Sequence, residues 1–231
     1  MLTIRSYDSP TSTITVKVGT ANQEKTFYID RELVVRSSKW FRTALSGEWK
    51  EADGSVTLEE QDPKLFETYA QWLYSGDVYS GKDQALVDTP DHKSWDTEWD
   101  RLFQLHYLSV YYQDIGFGNA TLDAMLEKFM STKRFPIGYA SQIYENTFEG
   151  SKLRALYVDF HVSLGLCKAL LKKSNDEDGA PYEFLHDVIN EVAMQGHTFS
   201  ELKGEYCVKF EFPCFYYHEH KSLPLSHRCM L

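Results

Sequence analysis

Two groups of chemically capable side chains stand out in this chain, and the first lies between residues 207 and 229. Cys207, Cys214, His218, His220, His227 and Cys229 all fall in CVKFEFPCFYYHEHKSLPLSHRC. Thiolate sulfur and imidazole nitrogen are the ligands that a tetrahedral zinc ion takes. One set of four, Cys214, His218, His227 and Cys229, would close a loop around Pro224. Four protein ligands leave no open coordination position, so such a zinc would be structural, adding folding energy to a stretch with little core of its own. The spacing matches no standard finger, and the same residues also read as a strand, VKFEF, followed by polar surface histidines. No cofactor is expected beyond this structural zinc.

The second group is aromatic. SSKWFRTALSGEWKE, residues 37–51, brings Trp40, Phe41 and Trp49 together with Glu51 just beyond. Positions 41, 44 and 45 make one apolar helix face, so Trp40 and Phe41, like Phe66 and Trp72 further on, are expected in the core. Trp49 lies past Gly47 in a charged turn with Lys50, Glu51 and Asp53, which gives it no regular place there. A tryptophan beside a helix end can bury about 150 to 250 Å² in a partner, and tryptophan is enriched among interface hot spots. Glu51 would fix orientation at the rim. Trp49 and Glu51 are therefore the candidate partner-binding residues; the plainer alternative folds Trp49 back over its own helix and leaves Glu51 as a solvated charge.

No catalytic residues are expected, and the chain reads as a non-enzyme. It has no GxxxxGK, no GxGxxG after a strand and no GxSxG elbow, and the pair Glu59-Glu60 sits in a strand-to-helix turn where solvation explains it. His92, His106, His161, His186 and His197 are scattered and read as hydrogen-bonded structural histidines.

The elements that must position these residues follow from periodicity. Ile14, Val16 and Val18 alternate with polar residues, predicting a strand over 14–18; a second covers 25–29 and a third 56–58. Asp30 and then Ser37 or Ser38 cap two short helices. Asp62-Pro63 starts a helix carrying Leu65, Phe66, Tyr69, Trp72 and Leu73, stopped at Ser75-Gly76. Residues 77–100 hold seven acidic residues against two lysines, a net −5 that is half the formal charge of −10, and read as an exposed acidic insertion. From Thr97 the pattern is helical to Tyr112, resumes at Asn119 after Gly116 and Gly118, and continues in a short helix at 139–144, a longer one from Leu153 to Leu166, and a last one from Tyr182 to Gln195. SNDEDGAP, residues 174–181, is a linker.

Composition sets the class. With 42% hydrophobic and 25% charged residues the chain is globular, and its negative charge repels nucleic acid, no basic patch reversing it. No apolar run reaches the roughly 18 residues of a membrane helix, and MLTIRSYDSP lacks signal-peptide character. The expected location is cytoplasmic or nuclear, with four reduced cysteines.

FYIDRELVVRSSKWFRTALSGEWKEADGSVTLEEQDPKLFETYAQWLYSG resembles the BTB (POZ) domain as it occurs in fungal proteins. The landmarks are the strand-to-helix FYIDRELV, the helix SSKWFRTAL, the acidic turn EWKEADG, the strand SVTL, and the helix DPKLFETYAQWLYSG with a short strand following it. IYENTFEGSKLRALYVDF looks like the helical extension of those proteins, and FYYHEH is a weaker echo. The resemblance implies an α+β fold, a small sheet flanked by helices, over 13–132, then an all-helical extension over 133–196 and a Cys/His-containing tail over 197–231. It implies a protein-protein interaction module, and in many relatives a substrate adaptor for a cullin-3 ubiquitin ligase. In such adaptors a hydrophobic-x-Glu motif after the corresponding helix contacts the cullin; here it reads Trp49-Lys50-Glu51. The alternative is a scaffold in transcription or signalling with no ubiquitin role. BTB domains typically self-associate, but the helix that builds the long-form dimer has no counterpart in Ser9-Pro10-Thr11-Ser12, so a monomer or a weaker pairing is expected.

Overall fold

Ile14, Val16 and Val18 turn one face of β1 (Thr13–Val18) fully inward, and this strand is the centre of a three-stranded sheet. The protein is known here from a computed structural model that describes residues 12–20, 22–46, 55–79, 92–132, 134–164, 180–194 and 216–220, with side chains in the 92–132 stretch described from Thr97. β2 (Lys25–Asp30) pairs antiparallel with β1, Val16 opposite Phe27, and β3 (Ser55–Leu58) pairs parallel on the other edge, Val16 beside Val56. The order is β2-β1-β3. Gly19, which opens the turn, has φ +97°, and a Cβ there would lie 2.8 Å from Cγ of Pro63. Both the backbone and the proline exclude a side chain.

The helices of this part start where the polar residues predict. Asp30 accepts from the N–H groups of Glu32 and Leu33 and begins α1 (Arg31–Ser37). Of the two serines, Ser38 caps α2 (Lys39–Ala44), its Oγ accepting from Phe41 N at 3.1 Å and donating to the Tyr112 carbonyl at 2.7 Å. Asp62 caps α3 (Pro63–Ser75), which ends at Gly76 with φ +79°. Phe41, Phe66, Tyr69 and Tyr112 are fully buried together, with ring centroids 5.2 Å apart for Phe41 and Tyr112 and 5.0 Å for Tyr69 and Tyr112. Asp114, buried beside them, accepts from Tyr69 Oη at 2.9 Å and Ser37 Oγ at 2.6 Å.

The chain forms two compact units. The one just described takes in the residues up to Tyr79 together with Tyr111–Asp114; the other holds 80–110 and everything from Ile115 onward. The second unit contains most of α4 (His92–Tyr111), then α5 (Ile115–Thr132), α6 (Ala140–Asn146), α7 (Lys152–Ser163) and α8 (Tyr182–Met194). Trp99, Phe135, Tyr157, Phe160 and Phe184 fill its interior, with Phe135 and Phe160 at 4.4 Å between centroids and Tyr157 and Phe184 at 5.4 Å. Lys128 pairs with Glu98 while lying 5.7 Å from the centre of the Trp99 ring. Arg154 on α7 closes the end of α6, donating to the carbonyl of Tyr144 at 2.7 Å and to Thr147 Oγ1 at 3.0 Å, which satisfies acceptors that a helix end leaves open.

The fold is thus mixed α+β, a three-stranded sheet with eight helices among the described residues. The short strand expected after α3 is not formed in the described residues 76–79, and two helix starts differ from the sequence expectation. α4 begins at His92 rather than Thr97, inside the stretch read as an acidic insertion. α5 begins at Ile115 rather than Asn119, so Gly116 and Gly118 lie within it. At Gly118 the reason is contact: a Cβ would meet Ser109 Oγ on α4 at 3.0 Å, so this glycine marks a close helix crossing and not a break. Among the described residues no helix is long and apolar enough to cross a membrane.

Candidate partner-binding surfaces

Trp49 and Glu51 fall in residues 47–54, outside the described part, so the structure gives only the elements on either side. Before the turn, Leu45 closes α2, its N–H donating to the Phe41 carbonyl at 3.0 Å and its own carbonyl accepting from Arg31 Nη2 at 2.7 Å. After it, Ser55 enters the sheet beside Thr15. Both flanks are pinned. Phe41 is fully buried as expected, whereas Trp40, expected in the core, is half-buried, packed against Phe41 at 4.9 Å and Tyr111 at 5.8 Å. Phe66 and Trp72 are buried as expected.

Of the four residues read as zinc ligands, only His218 is described; Cys214, His227 and Cys229 lie outside, as does Cys207. His218 is buried on the second unit, its Nε2 2.8 Å from Oδ1 of Asp123 on α5. A metal held by His218 with that contact intact would be taken by Nδ1, the arrangement in which a carboxylate fixes a ligand imidazole. Among the described residues no group of three or more His, Cys, Asp or Glu is placed to hold a metal ion.

The neighbours of His218 form a site that the sequence reading missed. Tyr217 is 1% exposed and donates its hydroxyl to Asp159 Oδ2 on α7 at 2.7 Å, and Asp159 is itself 2% exposed. Asn119 on α5 uses both ends of its amide on one residue: Nδ2 donates to the Glu219 carbonyl at 3.1 Å, and Oδ1 accepts from the Glu219 N–H at 3.0 Å. Lys152, at the start of α7, donates to the Tyr216 carbonyl at 2.8 Å. One signal was available: Asp159 sits in LYVDFHV, a run too apolar to leave a carboxylate buried without donors.

The strongly perturbed groups are buried histidines and tyrosines serving the cores. Burial holds His106 down to about 4, with the Gly118 main chain acting the other way. Thr121 Oγ1 donates to the Gly118 carbonyl at 2.7 Å and so accepts from His106 Nδ1 at 2.9 Å, which assigns the proton to Nδ1. Burial likewise holds His161 down to about 4, opposed by its bond to the Tyr157 carbonyl. Tyr69 is pushed well up by burial and then by Asp114, and Tyr112 by burial and then Tyr111. No family model matches the chain, and no curated protein matches it.

Proposed function

We propose that the chain is a non-enzymatic protein-interaction module of the BTB type, acting as a substrate adaptor for a cullin-3 ubiquitin ligase through Trp49 and Glu51. The observation that carries this reading is the element order of the first unit. Strand, strand, two helices, strand and helix follow one another over residues 13–75, with β3 returning parallel to β1, an order that supports the reading, while the short strand the resemblance puts after α3 is not formed at 76–79. The perturbed tyrosines and histidines are accounted for by burial within packed cores, which favours a binding module over a reaction centre. Cys214, His218, His227 and Cys229 remain the proposed structural zinc ligands, with His218 oriented by Asp123.

The test is capture from extract with the unsubstituted chain and Trp49→Ala side by side. A cullin recovered with the first and lost from the second supports the adaptor; a cullin absent from both, in a folded protein, moves the reading to a BTB scaffold with no ubiquitin role. Loss of an interface tryptophan should remove about 2 kcal/mol or more of binding, roughly thirtyfold, with Glu51→Ala weaker.

A further inference from the structure

Residues 216–220 lie on α5 and α7 as a peptide lies on a receptor. The contacts pass along the segment in order: Lys152 takes the Tyr216 carbonyl, Asp159 the Tyr217 hydroxyl, Asp123 the His218 ring, and Asn119 the main chain of Glu219. α5 and α7 are packed against each other independently of this segment, with Phe129 and Phe160 4.6 Å apart between centroids.

We propose that this face of α5 and α7 is a peptide-binding site for a tyrosine followed by a residue whose side chain donates a hydrogen bond. The chain's own Tyr217-His218-Glu219 is its resident occupant, displaced when a partner segment of the same chemistry binds.

Each part of that pattern has a reader. Asn119 touches only the N–H and carbonyl of Glu219, so it fixes the path of the chain without choosing a side chain. Asp159 is buried, and a phenylalanine in place of the tyrosine would deprive its carboxylate of a hydroxyl donor in a dry setting, which is a strong basis for discrimination. Asp123 accepts from the ring of the following residue at 2.8 Å, and its side chain is 48% exposed, leaving room for a longer donor in place of the imidazole. Because the resident is part of the same molecule, it lowers the apparent affinity of any competitor by the fraction of time the site is filled. This inference is independent of the adaptor reading, since it uses no residue of the first unit; it shares His218 with the proposed zinc set, and because a zinc there would hold the resident in place, the titration is run with and without chelator.

The experiment uses fluorescence anisotropy of a labelled peptide, PCFYYHEHKS, corresponding to residues 213–222. It is titrated with the full chain, unsubstituted and as Tyr217→Ala, each checked for helix content by circular dichroism. Tyr217→Ala should loosen the resident and bind the peptide at least tenfold more tightly than the unsubstituted chain does. Adding Asp159→Leu to that background, or replacing the peptide tyrosine by phenylalanine, should cost at least tenfold; arginine in place of the peptide's first histidine should be tolerated and glutamate there should not. Glu219→Pro is the second variant, because it removes the N–H that Asn119 reads and leaves both helices and Tyr217 intact. No gain in peptide binding in either folded variant, or a gain indifferent to the peptide tyrosine, would overturn the proposal and make 216–220 a fixed part of the helical unit.

Discussion

Mild acid should weaken the helical unit through two specific imidazoles. His106 and His161 are 5% and 1% exposed, and burial holds each to about 4 against an ordinary 6.5. Their folded values lie below their unfolded ones, so between about pH 6.5 and 4 the unfolded chain binds the extra protons and stability falls as pH falls. The neutral form is the favoured one throughout the fold, so the contribution is complete above 6.5. At pH 5 an unfolded imidazole is almost wholly protonated and these two are almost wholly neutral, a difference of about 2 kcal/mol each and about 4 kcal/mol together relative to pH 7.5. Against a domain stability of about 5 to 15 kcal/mol this is large. Urea unfolding followed by circular dichroism at pH 7.5, 6 and 5 measures it, and hydrogen exchange locates it: protection should fall in α4, α5 and α7. His161→Leu and His106→Gln should each reduce the loss between pH 7.5 and 5 by about 2 kcal/mol, whatever they do to stability at pH 7.5. If the slope between pH 7.5 and 5 is unchanged in both variants, the buried neutral imidazoles are not its source and the reasoning fails.

The other predictions concern the first unit and the tail. Phe41→Ala should cost about 3 to 5 kcal/mol in urea unfolding, because the ring is fully buried among Phe66, Tyr69 and Tyr112, whereas Trp49→Ala should cost far less; equal losses would put Trp49 in the core. Asp114→Ala should cost about 1 to 3 kcal/mol, and a cycle with Tyr69→Phe should give a coupling of about 0.5 kcal/mol or more, since Asp114 accepts the Tyr69 hydroxyl. Metal analysis of protein purified without chelator should return about one zinc per chain, and Cys214→Ser with Cys229→Ser should abolish it; a metal-free protein with unchanged exchange at 216–220 removes the zinc proposal.

What could be read in advance was whatever local chemistry decides. The period-2 run of β1, the caps Asp30, Ser38 and Asp62, and the left-handed Gly76 depend on neighbours within a few residues, and each stands where the sequence puts it. Gly118 was misread because glycine signals either a break or a close approach, and only the position of Ser109 on another helix distinguishes them. The start of α4 was hidden by acidic residues that are as compatible with a solvated helix face as with a loop. Asn119, Asp123 and Asp159 were missed for a related reason: each makes sense only through contacts with residues 217–219, and separations of 58 to 100 positions leave no local pattern. For Trp49 and Glu51 the expectation remains a sequence argument, since 47–54 lie outside the described residues.

The four residues Tyr111–Asp114 belong to the first unit, although the chain passes through α4 before reaching them. During synthesis, then, everything through Tyr79 emerges with Phe41, Phe66 and Tyr69 still lacking Tyr112, and with Ser37 and Tyr69 lacking their shared carboxylate. At about 5 to 20 residues per second the missing piece arrives some seconds later. In that interval a sheet formed by the first 79 residues would have its aromatic face open, the kind of apolar surface that chaperones hold. The same arithmetic bears on gene dissection: a cut placed after Tyr79 would release a fragment whose core has been left unfinished, while one placed beyond Asp114 would keep it whole.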